Sequence, residues 1–137
     1  MRTPIVRFRI EFAKDCHVGP GKIGLLEAIR ECGSLSQAAR NMGMSYRRAW
    51  LLVDSLRGAF REPVTLASTG GKGGGGAQVT KFGEALIDGY RELERDFAAL
   101  AARRLQAILP AVTSGAVANT KLRPHLAAPR RKKAPTT

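Results

Sequence analysis

Met44–Trp50 reads MSYRRAW, a serine followed by an aromatic ring and two arginines. If Ser45 caps a helix, Tyr46, Arg47 and Arg48 fall in its first turn. Cations at that end oppose the helix macrodipole, at a cost of a few tenths to about 1 kcal/mol. A helix end built only for stability would carry acids there, so the arginines point to an anion outside the chain. Arginine forks bidentately onto guanine O6 and N7 or onto a phosphate. Tyr46 can give its hydroxyl to a phosphate or stack its ring on a sugar. Upstream, GSLSQAA (Gly33 to Ala39) presents Ser34 and Ser36 at the start of another helix. Free N–H groups at a helix N-terminus suit a backbone phosphate, and the same serines also suit simple capping.

A second chemical candidate is GGKGGGG, six glycines around Lys72 between Gly70 and Gly76. A nucleotide-binding loop needs a hydroxyl residue after the lysine, a preceding strand and a following helix. Here Gly73 follows Lys72, the next segment is β-prone, and no acidic partner for Mg²⁺ is evident. A dinucleotide fingerprint fails as well, because no βαβ unit surrounds the loop. The segment reads instead as a hairpin tip, with Lys72, Gly73 and Gly74 able to approach a polyanion. His17 and His125 stand alone, with no metal-ligand spacing beside them. Asp88, Glu92, Glu94 and Asp96 alternate with Arg91 and Arg95 as a solvated helix face would. The expectation is a binding protein rather than an enzyme, with no metal site and no cofactor.

Charge fits that expectation. The 137 residues hold 23 Lys+Arg against 11 Asp+Glu, a formal net charge of +12. Such a field attracts polyanions. Residues Ala111 to Thr137 carry six bases and no acid, so the remainder carries +6 of its own and needs a structural account. Cys16 and Cys32 are too few for a disulfide framework and read as free thiols. The start, MRTPIVRFRIEF, lacks the apolar run of a signal peptide, and no stretch approaches a membrane span. A cytoplasmic chain without membrane partners is expected.

The elements that would position these residues are legible in the spacing. A strand is expected over residues 6–12, with Phe8, Ile10 and Phe12 on one face and Arg7, Arg9 and Glu11 on the other. AKDCHVGPG then reads as a turn. Ile23, Leu26 and Ile29, widened by Leu25 and Ala28, mark a helix that Gly33 stops. Ser34 with Gln37 predicts a capping box on a short second helix, closed by Gly43. Ala49, Leu52, Val53, Leu56 and Phe60 recur at helical spacing after Ser45, with Trp50 expected in the core beside them, until Pro63 forbids continuation. A short helix, a tight turn and a longer helix opening on basic residues is the pattern of a helix-turn-helix. Val64 to Ala67 and Ala77 to Val79 read as two strands flanking the glycines, which makes a wing over 63–80. Thr80 would cap a last helix running from about Lys81 to Leu109. Leu86, Tyr90, Leu93, Phe97 and Leu100 form a heptad seam along it, although Leu105 and Ile108 fall out of phase. So long a stripe predicts pairing with a second copy.

GSLSQAARNMGMSYRRAWLLVDSL followed by TGGKGGGGAQVTKFGEAL resembles the N-terminal DNA-binding domain of the ModE molybdate-responsive transcription regulators, a LysR-like winged helix. The resemblance covers approximately Gly19 to Leu100. It implies an N-terminal strand, three helices, a wing and a long dimerisation helix. It also implies a homodimer on palindromic double-stranded DNA near molybdate-uptake or molybdoenzyme genes. The recognition-helix roles fall on Ser45, Tyr46, Arg47 and Arg48, and the wing role on Lys72 and its glycines. Oxyanion sensing in that family lies in C-terminal β-barrel domains, for which the 27 residues after the long helix leave no room. The signal is then expected to come from elsewhere, for example a separate effector-sensing protein.

The expected fold class is mainly α with a small β wing. The expected organisation is a winged helix-turn-helix over 1–80, a dimerisation helix over 81–110, and a disordered basic tail over 111–137. The contrasting expectation is a non-specific nucleoid-associated or RNA-binding protein driven by the tail. An oxyanion-binding storage protein is a more distant third.

Overall fold

A computed structural model describes residues 3–68 and 76–113. Its elements run β1 (Ile10–Ala13), β2 (Cys16–Val18), α1 (Pro20–Cys32), α2 (Leu35–Asn41), α3 (Tyr46–Ala59), β3 (Thr65–Ser68), β4 (Gly76–Val79) and α4 (Lys81–Arg104), with a 3-10 turn at Leu109–Ala111. The chain is mainly helical with two small antiparallel sheets, an arrangement compatible with a winged helix.

Helix α1 starts at Pro20, whose ring presets the first helical φ, and stops at Gly33 in the left-handed region with φ 72°. It is apolar on two sides. Ile23 and Leu26 join Val18, Leu56, Val64, Ile87 and Tyr90 in one buried cluster. Leu25 and Ile29 join Ala38, Ala39, Ala49 and Val53 in another. The alanines let α2 and α3 come close to α1. Ser34 accepts a hydrogen bond from the Gln37 amide (3.1 Å), and Ser45 accepts one from the Arg48 amide (3.1 Å). Half of the expected capping box is therefore present. The return bond is not: the Gln37 side chain donates to Asn41 Oδ1 and accepts from Arg40.

Strands β3 and β4 pair antiparallel from Thr65↔Val79 to Ser68↔Gly76, so the glycine-rich stretch joins two paired strands as expected. The stretch itself, residues 69–75, lies outside the described residues, as does the tail from residue 114. Thr80 closes the hairpin base, donating its hydroxyl to the Pro63 carbonyl (2.7 Å) and accepting from the Gly83 amide (3.0 Å).

Three expectations need correction. The first strand is shorter and later than 6–12, and the segment read as a turn contains its partner β2. That partner offers only three residues, with a register shift between Glu11 and Ala13, and Phe12 lines an open groove with Ile10 without entering the core. Phe12 is exposed, its ring meeting Phe60 edge-on at 5.5 Å. Trp50, expected inside, is exposed. The last helix ends at Arg104 rather than near Leu109. This is the point at which the apolar repeat slips, leaving no continuous stripe to hold a longer helix.

Gly83 marks where α4 touches the hairpin. A Cβ there would run into the Val64 carbonyl oxygen and lie 2.6 Å from Val79 Cγ1. Gly83→Ala should therefore lower stability by about 1–3 kcal/mol through overpacking, against the gain of up to about 1 kcal/mol that helix propensity alone would give. Thermal unfolding distinguishes the two signs.

Candidate nucleic-acid interface

Along α3, Ala49, Val53 and Leu56 face the core and are almost wholly buried. At 100° per residue, the opposite line is Arg47, Leu51 and Asp54, with Arg48 to one side and Tyr46 and Trp50 to the other. Tyr46 is 55% exposed, and Arg47 and Arg48 are exposed as well. The only acid on this helix, Asp54, faces Arg57 at 3.5 Å. No ion pair among the described residues includes Arg40, Arg47 or Arg48. The first turn of α3 thus presents two uncompensated guanidinium groups on a capped helix end. Desolvation here is small, so their charge is available to an incoming anion.

Ser34 departs from the phosphate-contact expectation. It is 3% exposed, its hydroxyl caps α2, and it pairs by backbone with Gly76 of β4. Beside it, the Ala77 amide donates to the Gly33 carbonyl (3.0 Å). Ser34 is thus a joint between α2 and the hairpin, and the exposed hydroxyl at this helix start is Ser36, 3.4 Å from Ser34 Oγ. Lys72, Gly73 and Gly74 lie outside the described residues.

Sequence reasoning passed over Trp50 as a surface residue, and Leu51 and Leu66 entirely. Leu66, exposed on β3, shares a groove with Tyr46, Trp50, Val53 and Arg57. The signal was present for Trp50. Ala49 and Val53 already fill the inward line of α3, and a residue one step from Ala49 stands about 100° away from it.

The helical seam divides into two parts. Tyr90 is 2% exposed, its hydroxyl donating to the Phe8 carbonyl (2.6 Å) while its ring packs on Phe8 at 4.7 Å. Burial pushes its phenol pKa up. Leu86 packs against the same cluster. Tyr90 serves the interior of one chain, a correction to its expected place at a subunit contact, whereas Leu86 is half-buried and also lines an open groove with Leu93. Leu93 and Phe97 are exposed to 36% and 40%, Phe97 also meeting Phe8 edge-on at 5.1 Å, and Leu100 is half-buried.

The stem is braced against α1 by charge. Arg91 donates from Nε and Nη2 to both carboxylate oxygens of Glu27 (2.9 and 2.6 Å) and from Nη1 to Glu94 (2.7 Å). Farther up, Arg30 meets Glu84 at 2.7 Å.

No protein-family model matches the chain. Curated proteins do. The chain is 36% identical over 113 residues to the molybdenum transport protein ModE of Azotobacter vinelandii, covering 80% of this chain and 42% of that protein. It is 34% identical over 95 residues to the transcriptional regulator ModE of Haemophilus influenzae (69% and 37%). It is 47% identical over 90 residues to the molybdenum-pterin-binding protein MopA of Rhodobacter capsulatus (66% and 34%).

The chain is a ModE-family homologue.

It spans about a third to two fifths of the length of these relatives. Over that span the ModE-like chain carries the strings quoted above, from the Ser34 cap through the arginine turn to the hairpin. No helix among its described residues is long and apolar enough to cross a membrane.

Two outcomes follow. Ser45→Ala should cost about 1 kcal/mol of stability by freeing the Arg48 amide, measurable by denaturant titration. The hydrogen bonds from Arg91, opposed by burial, hold the Glu27 carboxyl below the usual glutamate range. Because that folded pKa is depressed, its contribution is present at neutral pH and is lost as pH falls from the ordinary glutamate range through the lowered value. The wild type should therefore lose stability more steeply than Glu27→Gln across that acid range, and parallel curves would count against the brace.

Proposed function

We propose that this chain is a homodimeric, sequence-specific DNA-binding transcriptional regulator, tied to molybdate transport or molybdoenzyme genes. The observation that carries the reading is the arginine turn: Arg47 and Arg48, exposed and without a carboxylate partner among the described residues, at the capped start of α3. Relatives named as ModE transcriptional regulators, one of them in Escherichia coli described as a DNA-binding transcriptional dual regulator, support the regulatory part.

In this reading α3 enters the major groove and Arg47 or Arg48 forks onto a guanine. Ser36 and Tyr46 hold phosphates, and the hairpin, joined to the α1–α2 junction at Gly33 and Ser34, carries Lys72 to the adjacent backbone. Two copies meet along the outer half of α4 through Leu93, Phe97 and Leu100, with Leu86 and Tyr90 holding the stem to its own domain. A two-fold axis at that contact makes the operator palindromic and sets the spacing of its halves.

The basic segment beyond residue 110, with six cations and no acid, favours a second reading, a non-specific polyanion binder. Deleting residues 111–137 separates the two. The regulator keeps its preference for its site, whereas the non-specific binder loses most of its affinity.

Arg47→Ala or Arg48→Ala should lose about 1–3 kcal/mol on a site selected from random DNA. Equal loss on unrelated DNA in a titration would assign the residue to phosphate alone. Lys72→Ala should weaken all DNA alike and reduce the salt slope by about one. Leu93→Lys should yield a monomer in sedimentation velocity and lower operator affinity, and an unchanged dimer would move the contact off this stem.

A further inference from the structure

The outward line of α3 is unusual for a helix that meets a polyanion. Beyond Arg47 it offers little that reads a base edge by hydrogen bonding: Asp54 is engaged with Arg57, and Gly58 has no side chain. What it does offer is apolar. Leu51 is 49% exposed and Trp50 is 42% exposed, and both line one concavity with Tyr46 and Arg47. Leu51 lies one turn from Arg47 on the same face, and Trp50 stands toward the hairpin. In the major groove the apolar feature of a base edge is the C5 methyl group of thymine.

We infer that Trp50 and Leu51 form a thymine-methyl-reading surface beside Arg47, so that each half-site carries thymines at fixed steps from the base pair read by the arginine turn. The inference rests on the DNA-binding reading above and deepens it. It accounts for two large apolar side chains left in water, one on the outward line and one beside it, on a helix whose core positions are filled by Ala49, Val53 and Leu56. A docking surface for another protein fits less well, because the same concavity is rimmed by Arg47 with no carboxylate to neutralise it. Removing one methyl contact should lower affinity about fourfold, the free energy of one buried CH₂-sized group expressed as a ratio.

The test uses the full chain and a duplex recovered by selection from random DNA. Each thymine is replaced in turn by deoxyuridine, which deletes only the methyl. The expected result is about a fourfold loss at one or two thymines per half-site for the wild type. Leu51→Ala and Trp50→Ala should each erase the thymine-over-uracil preference at one of those positions, while Leu51→Met should keep it. Both residues are exposed, so the variants should fold, and circular dichroism checks this. If binding stays sequence-specific but every thymine tolerates uracil, or both alanine variants keep the wild-type ratio, the inference is overturned and the regulator reading stands. If selection recovers no motif, the sequence-specific regulator reading falls and this inference with it.

Discussion

The structure depends on α1 being apolar on two sides. Ile23 and Leu26 anchor the stem and the N-terminal hairpin, while Leu25 and Ile29 anchor α2 and α3. One helix therefore sets the angle between the exposed arginine turn and the direction in which α4 leaves the body. The forked Glu27–Arg91 contact fixes the same angle from the polar side, since a bidentate pair constrains orientation as well as distance. With only α2 and α3 held, the arginine helix would have no defined relation to α4. With only α4 held, the arginine turn would have no fixed direction.

Against this rigid frame stands an electrostatic imbalance left unresolved within the chain. Cations in the first turn of α3 work against the helix dipole, and no described carboxylate relieves them. Elsewhere the chain does pair charges: Arg9 with Glu11, Arg30 with Glu84, and Arg91 with Glu27 and Glu94. The difference is local. Arg30 and Arg91 at the stem are neutralised, whereas Lys81, Arg95, Arg103 and Arg104 along it, like the arginines of α2 and the start of α3, have no ion pair among the described residues. The backbone joints Ala77–Gly33 and Ser34–Gly76 keep the hairpin in step with that unpaired surface.

The stem divides by burial at Tyr90. Its N-terminal half is interior to one chain, closed by Gly83 against Val64 and by the tyrosine hydroxyl on Phe8. Past that point α4 has no buried residue, and its apolar side chains are only partly covered. The same heptad spacing thus serves two different surfaces, first the chain's own hairpin and then water or a second copy.

How much was legible in advance follows from the range of the forces involved. Caps and stops act within one turn, so Ser45, Thr80, Gly33 and Gly43 could be read from neighbouring residues, and so could the apolar stripes of α1 and α3. The pairing of two short strands around the glycines was equally local. Long-range competition decided the rest. Phe12 stays exposed at the end of a strand whose three-residue partner has a shifted register, which no alternation in RFRIEF can announce. Trp50 is outside because small residues of α2 and α3 already close the space against α1, which depends on where three helices meet. Ser34 is covered because β4 lies across it, 42 residues later in the chain. Tyr90 is interior because the Phe8 carbonyl waits for its hydroxyl across 82 positions. Which residues could bind was a matter of chemical type and spacing; which of them face water was a matter of packing between segments far apart.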